Sequence, residues 1–133
     1  MAGITDLDEL LGSLDPELHP LPWVYAVVPE IPAAVEPFAV VREQEGVTLV
    51  LTVDEAARLG LPVGSRFALI TLRVHSALEA VGMTAAFARV LADAGMSCNV
   101  IAGFHHDHLL VPWARGAEAV DLLRGLAERP SGP

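Results

Sequence analysis

The chain has 133 residues, 53% of them hydrophobic, and 17 acidic against 8 basic side chains give a formal net charge of −9. A chain of this size can bury a stable core unaided, and its single cysteine, Cys98, excludes an intrachain disulfide. No apolar run approaches the roughly 20 residues of a membrane span, and the scarcity of Lys and Arg argues against nucleic acid or an anionic membrane as a partner. The N-terminal residues are acidic and lack the basic start of a signal peptide, so we expect a cytoplasmic protein.

The first part of the sequence predicts a short helix, a connector and a strand. Four leucines have the helical spacing i, i+3, i+4 and i+7: Leu7, Leu10, Leu11 and Leu14. Thr5 and Asp8 are placed as a capping pair for this helix. Three prolines in Asp15–Pro22 predict a connector, and the β-branched and aromatic run Trp23–Val28 predicts a strand.

The middle of the sequence predicts a hairpin, a short helix and a buried strand. Apolar runs at 38–42 and 47–51 flank a polar turn and indicate a β-hairpin. Thr52 and Glu55 form a capping box for a short helix over 54–59. The run from Phe67 to Val74 is almost entirely apolar, as in a strand that is covered on both faces.

The last part predicts two longer helices on either side of a second hairpin. A helix over 83–94 ends at Gly95, and a final helix runs over 117–128. Between them lie a strand over 97–102, a turn over 103–107 and a return strand over 108–111.

This order of elements indicates an α+β fold of two ferredoxin-like β-α-β-β-α-β units, each an antiparallel sheet packed by helices. We expect an N-terminal unit over 1–63 that is short of one helix, a C-terminal unit over 64–129, and a frayed tail over 130–133. The elements are one strand short for two complete units. The sheets therefore share or exchange a strand, with Trp23–Val28 as the candidate, or a partner chain supplies one.

Several stretches of the sequence resemble a known family. The segment from Gly82 to Met96 is similar to the first helix and following turn of an ACT domain, in which a glycine opens a helix that ends in an LAxAG turn. HSALEAVGMTAAF, SCNVIAGFHHDHLLVP and the earlier segment Glu43–Leu49 resemble a family of small bacterial tandem ACT-domain proteins related to the tandem-ACT arginine sensors of animal cells. The resemblance implies a regulatory module that binds an amino acid at an interface between ACT units, commonly in a homodimer. It does not imply catalysis, and we expect neither an enzyme nor a cofactor.

Gly82 is the strongest single candidate for ligand binding. A glycine at a strand-to-helix junction lets backbone N–H groups and a helix N-terminus approach a carboxylate closely. We therefore predict that the backbone from Val81 through Met83 to Thr84 binds a ligand carboxylate. The alternative is that Gly82 only makes the turn.

Other polar residues are candidates for the rest of the site. Ser76 and Glu79 match a capping box, so they either start the helix or line the pocket, with Glu79 meeting a ligand ammonium. Asn99 bonds either a neighbouring backbone or the ligand. Cys98 has apolar neighbours, which predicts a small buried hydrophobic residue rather than a nucleophile.

The histidine-rich turn allows two interpretations. His105, His106 and His108 with Asp107 could bind a divalent metal, but alternate residues of an extended strand point to opposite faces. By the family resemblance, Asp107 instead fixes a polar turn and faces the ligand. No nucleophile elbow or phosphate-binding loop is present in the sequence. We thus expect a sensor of a small amino acid or related metabolite, with a ligand-free interaction module and a histidine-rich metal-binding protein as the alternatives.

Overall fold

The computed structural model describes Gly3 and residues 5–128. In chain order its helices and strands are α1 (Leu7–Gly12), β1 (Pro16–Leu18), β2 (Trp23–Val28), β3 (Ala39–Glu43), β4 (Gly46–Thr52), α2 (Val53–Arg58), β5 (Phe67–Leu72), α3 (Met83–Asp93), β6 (Asn99–Ala102), β7 (Asp107–Pro112) and α4 (Gly116–Gly125). Short 3-10 turns at Trp113–Arg115 and Leu126–Glu128 flank α4. Within the described residues, no helix has both the length and the apolarity needed to cross a membrane.

The chain divides into two compact units. One consists of residues 20–67, and the other combines the described residues up to His19 with those from Ala68 onward. We call them the middle unit and the split unit.

The middle unit is a three-stranded antiparallel sheet in the order β3-β4-β2, covered on one face by α2. Its core consists of alternate residues of β2 and β4 packed with α2: Val24, Ala26, Val28, Val47, Leu49, Leu51 and Ala56. The predicted capping box is confirmed, because Thr52 Oγ1 accepts from the Glu55 backbone N–H while the Glu55 carboxylate accepts from the Thr52 N–H. The predicted hairpin is also confirmed, with β3 and β4 joined by a two-residue turn between Glu43 and Gly46.

The split unit is built on β5, which has β1 on one side and β7 on the other, with β6 beside β7. Ile70 and Leu72 of β5, and Leu109 and Val111 of β7, face the helices. These side chains pack with buried residues of all three helices of the unit, among them Leu10, Phe87, Leu91, Ala119 and Leu123. The helix-facing side of this sheet is therefore the main hydrophobic core of the split unit.

The N-terminal segment differs from the sequence prediction. The expected connector Asp15–Pro22 contains β1, whose Pro16 and Leu18 pair with Leu72 and Ile70 of β5. The strand that leaves the N-terminal half is therefore β1, and not Trp23–Val28, which pairs along its whole length with β4. β1 has no sequence signal of its own, because three residues are too few for a periodic pattern.

Two predicted helix starts are wrong. The cap of α1 is Asp6, whose carboxylate accepts from the Asp8 N–H, rather than Thr5. Ser76 and Glu79 do not cap a helix, because the chain there makes a turn and α3 begins only after Gly82. Gly82 has a left-handed φ of 100°, which sets the direction of the chain into α3 without a side-chain cap.

Candidate ligand-binding site

A small pocket in the split unit lies where the β5–α3 loop, the first turn of α3 and the β6–β7 turn meet. Its volume is about 100 Å³, and it is lined by Ser76, Ala77, Leu78, Ala80, Met83, Thr84, Ala102, Gly103 and Asp107. The lining combines two hydroxyl groups and one carboxylate with small and apolar residues. This composition suits a small polar molecule with one or two apolar atoms.

The β6–β7 turn places Asp107 in this pocket. Ala102 pairs with Asp107 across the hairpin, and the Gly103 N–H donates to the His106 carbonyl oxygen over 2.9 Å. A Cβ atom on Gly103 would lie 2.9 Å from that oxygen, so the tight turn requires glycine. Asp107 then begins β7 on the side of the sheet that faces the helices.

Asp107 is a largely buried acidic residue in the wall of the pocket. The residue is only 9% exposed, and desolvation by burial raises the pKa of its carboxyl above the ordinary value. The structure records no hydrogen bond or ion pair between this carboxylate and another described residue. Buried charges in proteins are normally paired, so a carboxylate in this state is a strong candidate to meet a cation.

The structure brings together four of the eight predicted site residues. Ser76, Met83, Thr84 and Asp107 line the pocket. Glu79 lines a neighbouring hollow of about 230 Å³ with Ser76 and Phe104. The segment Ser76–Leu78 contributes to both linings.

The other three predicted residues lie outside the pocket lining. Val81 is 82% exposed. A Cβ atom on Gly82 would meet the Leu7 side chain at 3.1 Å, so the glycine packs against α1. Asn99 is an exposed residue of β6, paired with Leu110.

The sequence prediction missed the pocket residues that contribute backbone or small side chains. Ala80, Ala102 and Gly103 have no polar side chain that marks them as functional. The only available signal was Gly103, a glycine between two predicted strands, which often indicates close backbone approach.

The histidines lie near this pocket without forming a metal centre among the described residues. The His75 and His105 rings are 5.3 Å apart, and the His106 and His108 rings are 6.5 Å apart. His108 also faces Thr71, with 2.9 Å between its Nδ1 and the Thr71 hydroxyl oxygen.

Cys98 is half-buried, and desolvation raises the pKa of its thiol to about 11. The thiol is therefore protonated at neutral pH, which agrees with the interpretation of Cys98 as a packing residue.

The helix-covered antiparallel sheets and the pocket at a helix N-terminus place the chain in the ferredoxin-like α+β class. Sequence models of the ACT domain match residues 2–68 and residues 65–125. The chain therefore belongs to the ACT domain family and contains two ACT domains in tandem. This confirms the resemblance drawn from the sequence and the expected fold class.

Several solved structures resemble the chain. A Vibrio cholerae protein of unknown function, described as a possible transport protein, is 45% identical, with a TM-score of 0.82 over 91% of this chain and 95% of that one. An Agrobacterium tumefaciens protein is 19% identical, with a TM-score of 0.71 over 84% of this chain and 87% of that one. Aspartokinase alpha and beta subunits are 12% identical, with a TM-score of 0.60 over 86% of this chain and 97% of that one. The last two likenesses concern the fold alone. Among curated proteins, no match to the chain was found.

Proposed function

We propose that this protein is a regulatory sensor that binds a small amino acid, or a metabolite of the same zwitterionic type, in the Asp107 pocket. ACT domains typically serve as regulatory ligand-binding modules, which supports the class of function. The observation that carries the proposal is Asp107, a largely buried acidic residue that lines the pocket and whose carboxylate has no hydrogen bond or ion pair to another described residue. An ammonium group would supply the missing positive charge and hydrogen-bond donors.

The proposed orientation places the ligand ammonium at Asp107 and its carboxylate at the start of α3. Met83 and Thr84 line the pocket and form the first turn of this helix. The first N–H groups of a helix have no partner within the helix and favour a negative charge. In this orientation Asp107 is the residue that binds the ligand ammonium. The other two candidates are less suitable, because Glu79 lines the neighbouring hollow and Asn99 is exposed on β6.

The pocket size limits the ligand. A volume of about 100 Å³ corresponds to roughly three water molecules. We therefore infer a ligand with a short side chain, held partly by the hydroxyl groups of Ser76 and Thr84.

We further propose that the protein acts by association in the cytoplasm rather than by catalysis. Among the described strands, β3 pairs only with β4 and β6 only with β7, so each has one unpaired edge that suits homodimer formation. A single cysteine, which forms no intrachain disulfide, suits a reducing compartment. Ligand binding would favour the state of the dimer or its interface that binds the ligand more tightly. The expected position of the site at an interface between ACT units remains a prediction.

Calorimetric titration of the purified protein with each of the twenty amino acids tests this proposal. We expect saturable binding of at least one small amino acid. Asp107→Asn should weaken that binding tenfold or more, because a charged hydrogen bond is worth about 1.5–3 kcal/mol.

The matched control is Asp93→Asn, which changes an exposed carboxylate near the end of α3 and should leave binding unchanged. No saturable binding, or equal affinity of Asp107→Asn and wild type, would contradict the proposal. A homodimer that no amino acid alters would instead favour a ligand-free interaction module.

A further inference from the structure

Two histidines far apart in the sequence meet at one buried threonine in the split unit. The His19 Nε2 atom lies 2.8 Å from the Thr71 hydroxyl oxygen, and the His108 Nδ1 atom lies 2.9 Å from the same oxygen. His19 follows β1, while Thr71 belongs to β5 and His108 to β7. This chain of hydrogen bonds therefore crosses all three strands on the side of the sheet opposite the helices.

The Thr71 hydroxyl is fully hydrogen-bonded only while at most one of the two histidines is cationic. Thr71 is 2% exposed, and its hydroxyl can donate one hydrogen bond and accept others. With at most one cationic histidine, one facing ring nitrogen donates to the threonine oxygen while the other accepts from the threonine O–H. With both histidines cationic, both facing nitrogens are donors. The threonine O–H then loses its acceptor in a place where water barely reaches.

The surroundings also oppose a second positive charge. His106 lies in the turn before β7, with its ring 6.5 Å from that of His108, and Arg73 follows β5. On the β6 side the residue opposite His108 is Ile101, which does not titrate. The exposed Glu17 of β1 is paired at 3.7 Å with Arg73. Burial and the charges of His106 and Arg73 thus oppose a positive charge on His108.

We propose that His19, Thr71 and His108 form a proton-sensitive clasp that fastens the N-terminal segment to the sheet of the split unit and loosens on acidification. The first proton leaves every polar group of the clasp paired. A second proton leaves the buried threonine O–H without an acceptor and places two positive charges at one oxygen, which weakens the clasp. The backbone of the same segment is held by the His19 N–H donating to the Leu69 carbonyl and the Arg73 N–H donating to the Asp15 carbonyl. Loosening the clasp therefore acts on the attachment of β1 to β5, independently of any ligand in the Asp107 pocket.

The direction of the pH effect follows from His108. Its pKa in the folded protein is lowered from 6.5, first by burial and then by the charges of His106, His19 and Arg73. The unfolded chain therefore binds a proton at a higher pH than the folded protein does. The stabilisation by the clasp is complete above pH 6.5 or so and is lost as the pH falls below that value.

The tautomers of the two histidines give a direct test on the unmodified protein. Nitrogen-15 NMR of the imidazole rings at pH 8 should show opposite states for the facing atoms, one of His19 Nε2 and His108 Nδ1 carrying hydrogen and the other not. On acidification the His108 ring should take up its proton only below pH 6.5, its ordinary pKa. Two facing nitrogens in the same state at pH 8, or a His108 ring that is mostly protonated at pH 7, would overturn the proposal.

Urea unfolding between pH 8 and pH 5 gives a second test. His108→Gln should reduce the pH slope of the unfolding free energy by up to one proton relative to wild type. His105→Gln, which removes an exposed histidine outside the clasp, should leave the slope unchanged. Thr71→Ser keeps the hydroxyl and should behave as wild type. Equal slopes for His108→Gln and His105→Gln would contradict the clasp.

Discussion

At the scale of single residues, Asp107 illustrates a conflict between stability and the proposed binding of a ligand. Its neighbours Leu109 and Val111 on the same side of β7 are buried hydrophobic residues of the main core. An aspartate in this row costs stability, because its charge is desolvated without a recorded partner among the described residues. Residues that break the local packing pattern in this way are commonly those that a binding site needs.

Asp107→Asn should therefore stabilise the ligand-free protein at pH 7, by roughly 1 kcal/mol. Burial raises the pKa of Asp107 in the folded protein above the unfolded value of 3.8. The loss of stability caused by the Asp107 charge is thus absent below pH 3.8. It grows as the pH rises through the pKa of the folded protein and is complete above that pKa.

Urea unfolding of both proteins at pH 7 and at pH 3.5 measures this difference, which should be smaller at the lower pH. Asp93→Asn removes one partner of an exposed ion pair with Arg89 and should not increase the free energy of unfolding. A wild type more stable than Asp107→Asn at pH 7 would show that an unrecognised group satisfies the carboxylate.

At the scale of elements, two segments share the Ser/Thr-x-x-Glu pattern but have different structures. Thr52 and Glu55 cap α2 as the pattern predicts, since the following residues continue a helix. Ser76 and Glu79 precede a glycine with a left-handed backbone at position 82, and the helix begins beyond it. The pattern describes only the first turn, whereas helix formation depends on the next several residues.

Gly82→Ala should destabilise the protein by about 1–2 kcal/mol, because a Cβ atom strains a left-handed backbone. The Leu7 side chain, 3.1 Å from the position of that Cβ, adds to the cost. Gly125→Ala is the matched control, since it lies at the end of α4 with no atom within 4 Å of the new Cβ. This control variant should instead have a free energy of unfolding that is higher by up to about 1 kcal/mol.

Urea unfolding at neutral pH distinguishes the two variants. Equal stability of Gly82→Ala and wild type would mean that the entry into α3 tolerates another backbone conformation.

At the scale of the whole molecule, the compact units do not follow the order of the chain. The described residues up to His19 belong with those from Ala68 onward, although the family models match consecutive stretches. Leu10 of α1 is completely buried in the same core cluster as Phe87 and Leu123. The stability of the split unit thus depends on residues from the other end of the sequence.

Leu10→Ala should destabilise the split unit by about 2–5 kcal/mol, the usual cost of a cavity at a fully buried leucine. Leu21→Ala, at a residue that is 50% exposed, should cost less than about 0.5 kcal/mol. Hydrogen exchange followed by NMR can locate the effect. We expect faster exchange in β5 and α3 of Leu10→Ala. Faster exchange in α1 alone would argue against the packing of Leu10 in the core of the split unit.

The sequence by itself determined the local elements and the family. The β3–β4 hairpin, the α2 capping box and the helix α3 with Gly95 at its end each depend on residues close together in the chain, so short patterns sufficed to predict them. Of the site, the sequence predicted Asp107, Ser76, Met83 and Thr84. The family resemblance directed attention to that region.

Only the tertiary structure decided which contacts join distant residues. The attachment of β1 to β5 depends on a three-residue strand with no periodic signal of its own. The two hydrogen bonds at Thr71 span 52 and 37 residues, and no local pattern specifies partners at such separations. The pocket residues Ala102 and Gly103 are likewise defined by position rather than by chemistry. Contacts of this kind form when the whole core closes, because only then do backbone and side chains from remote segments meet.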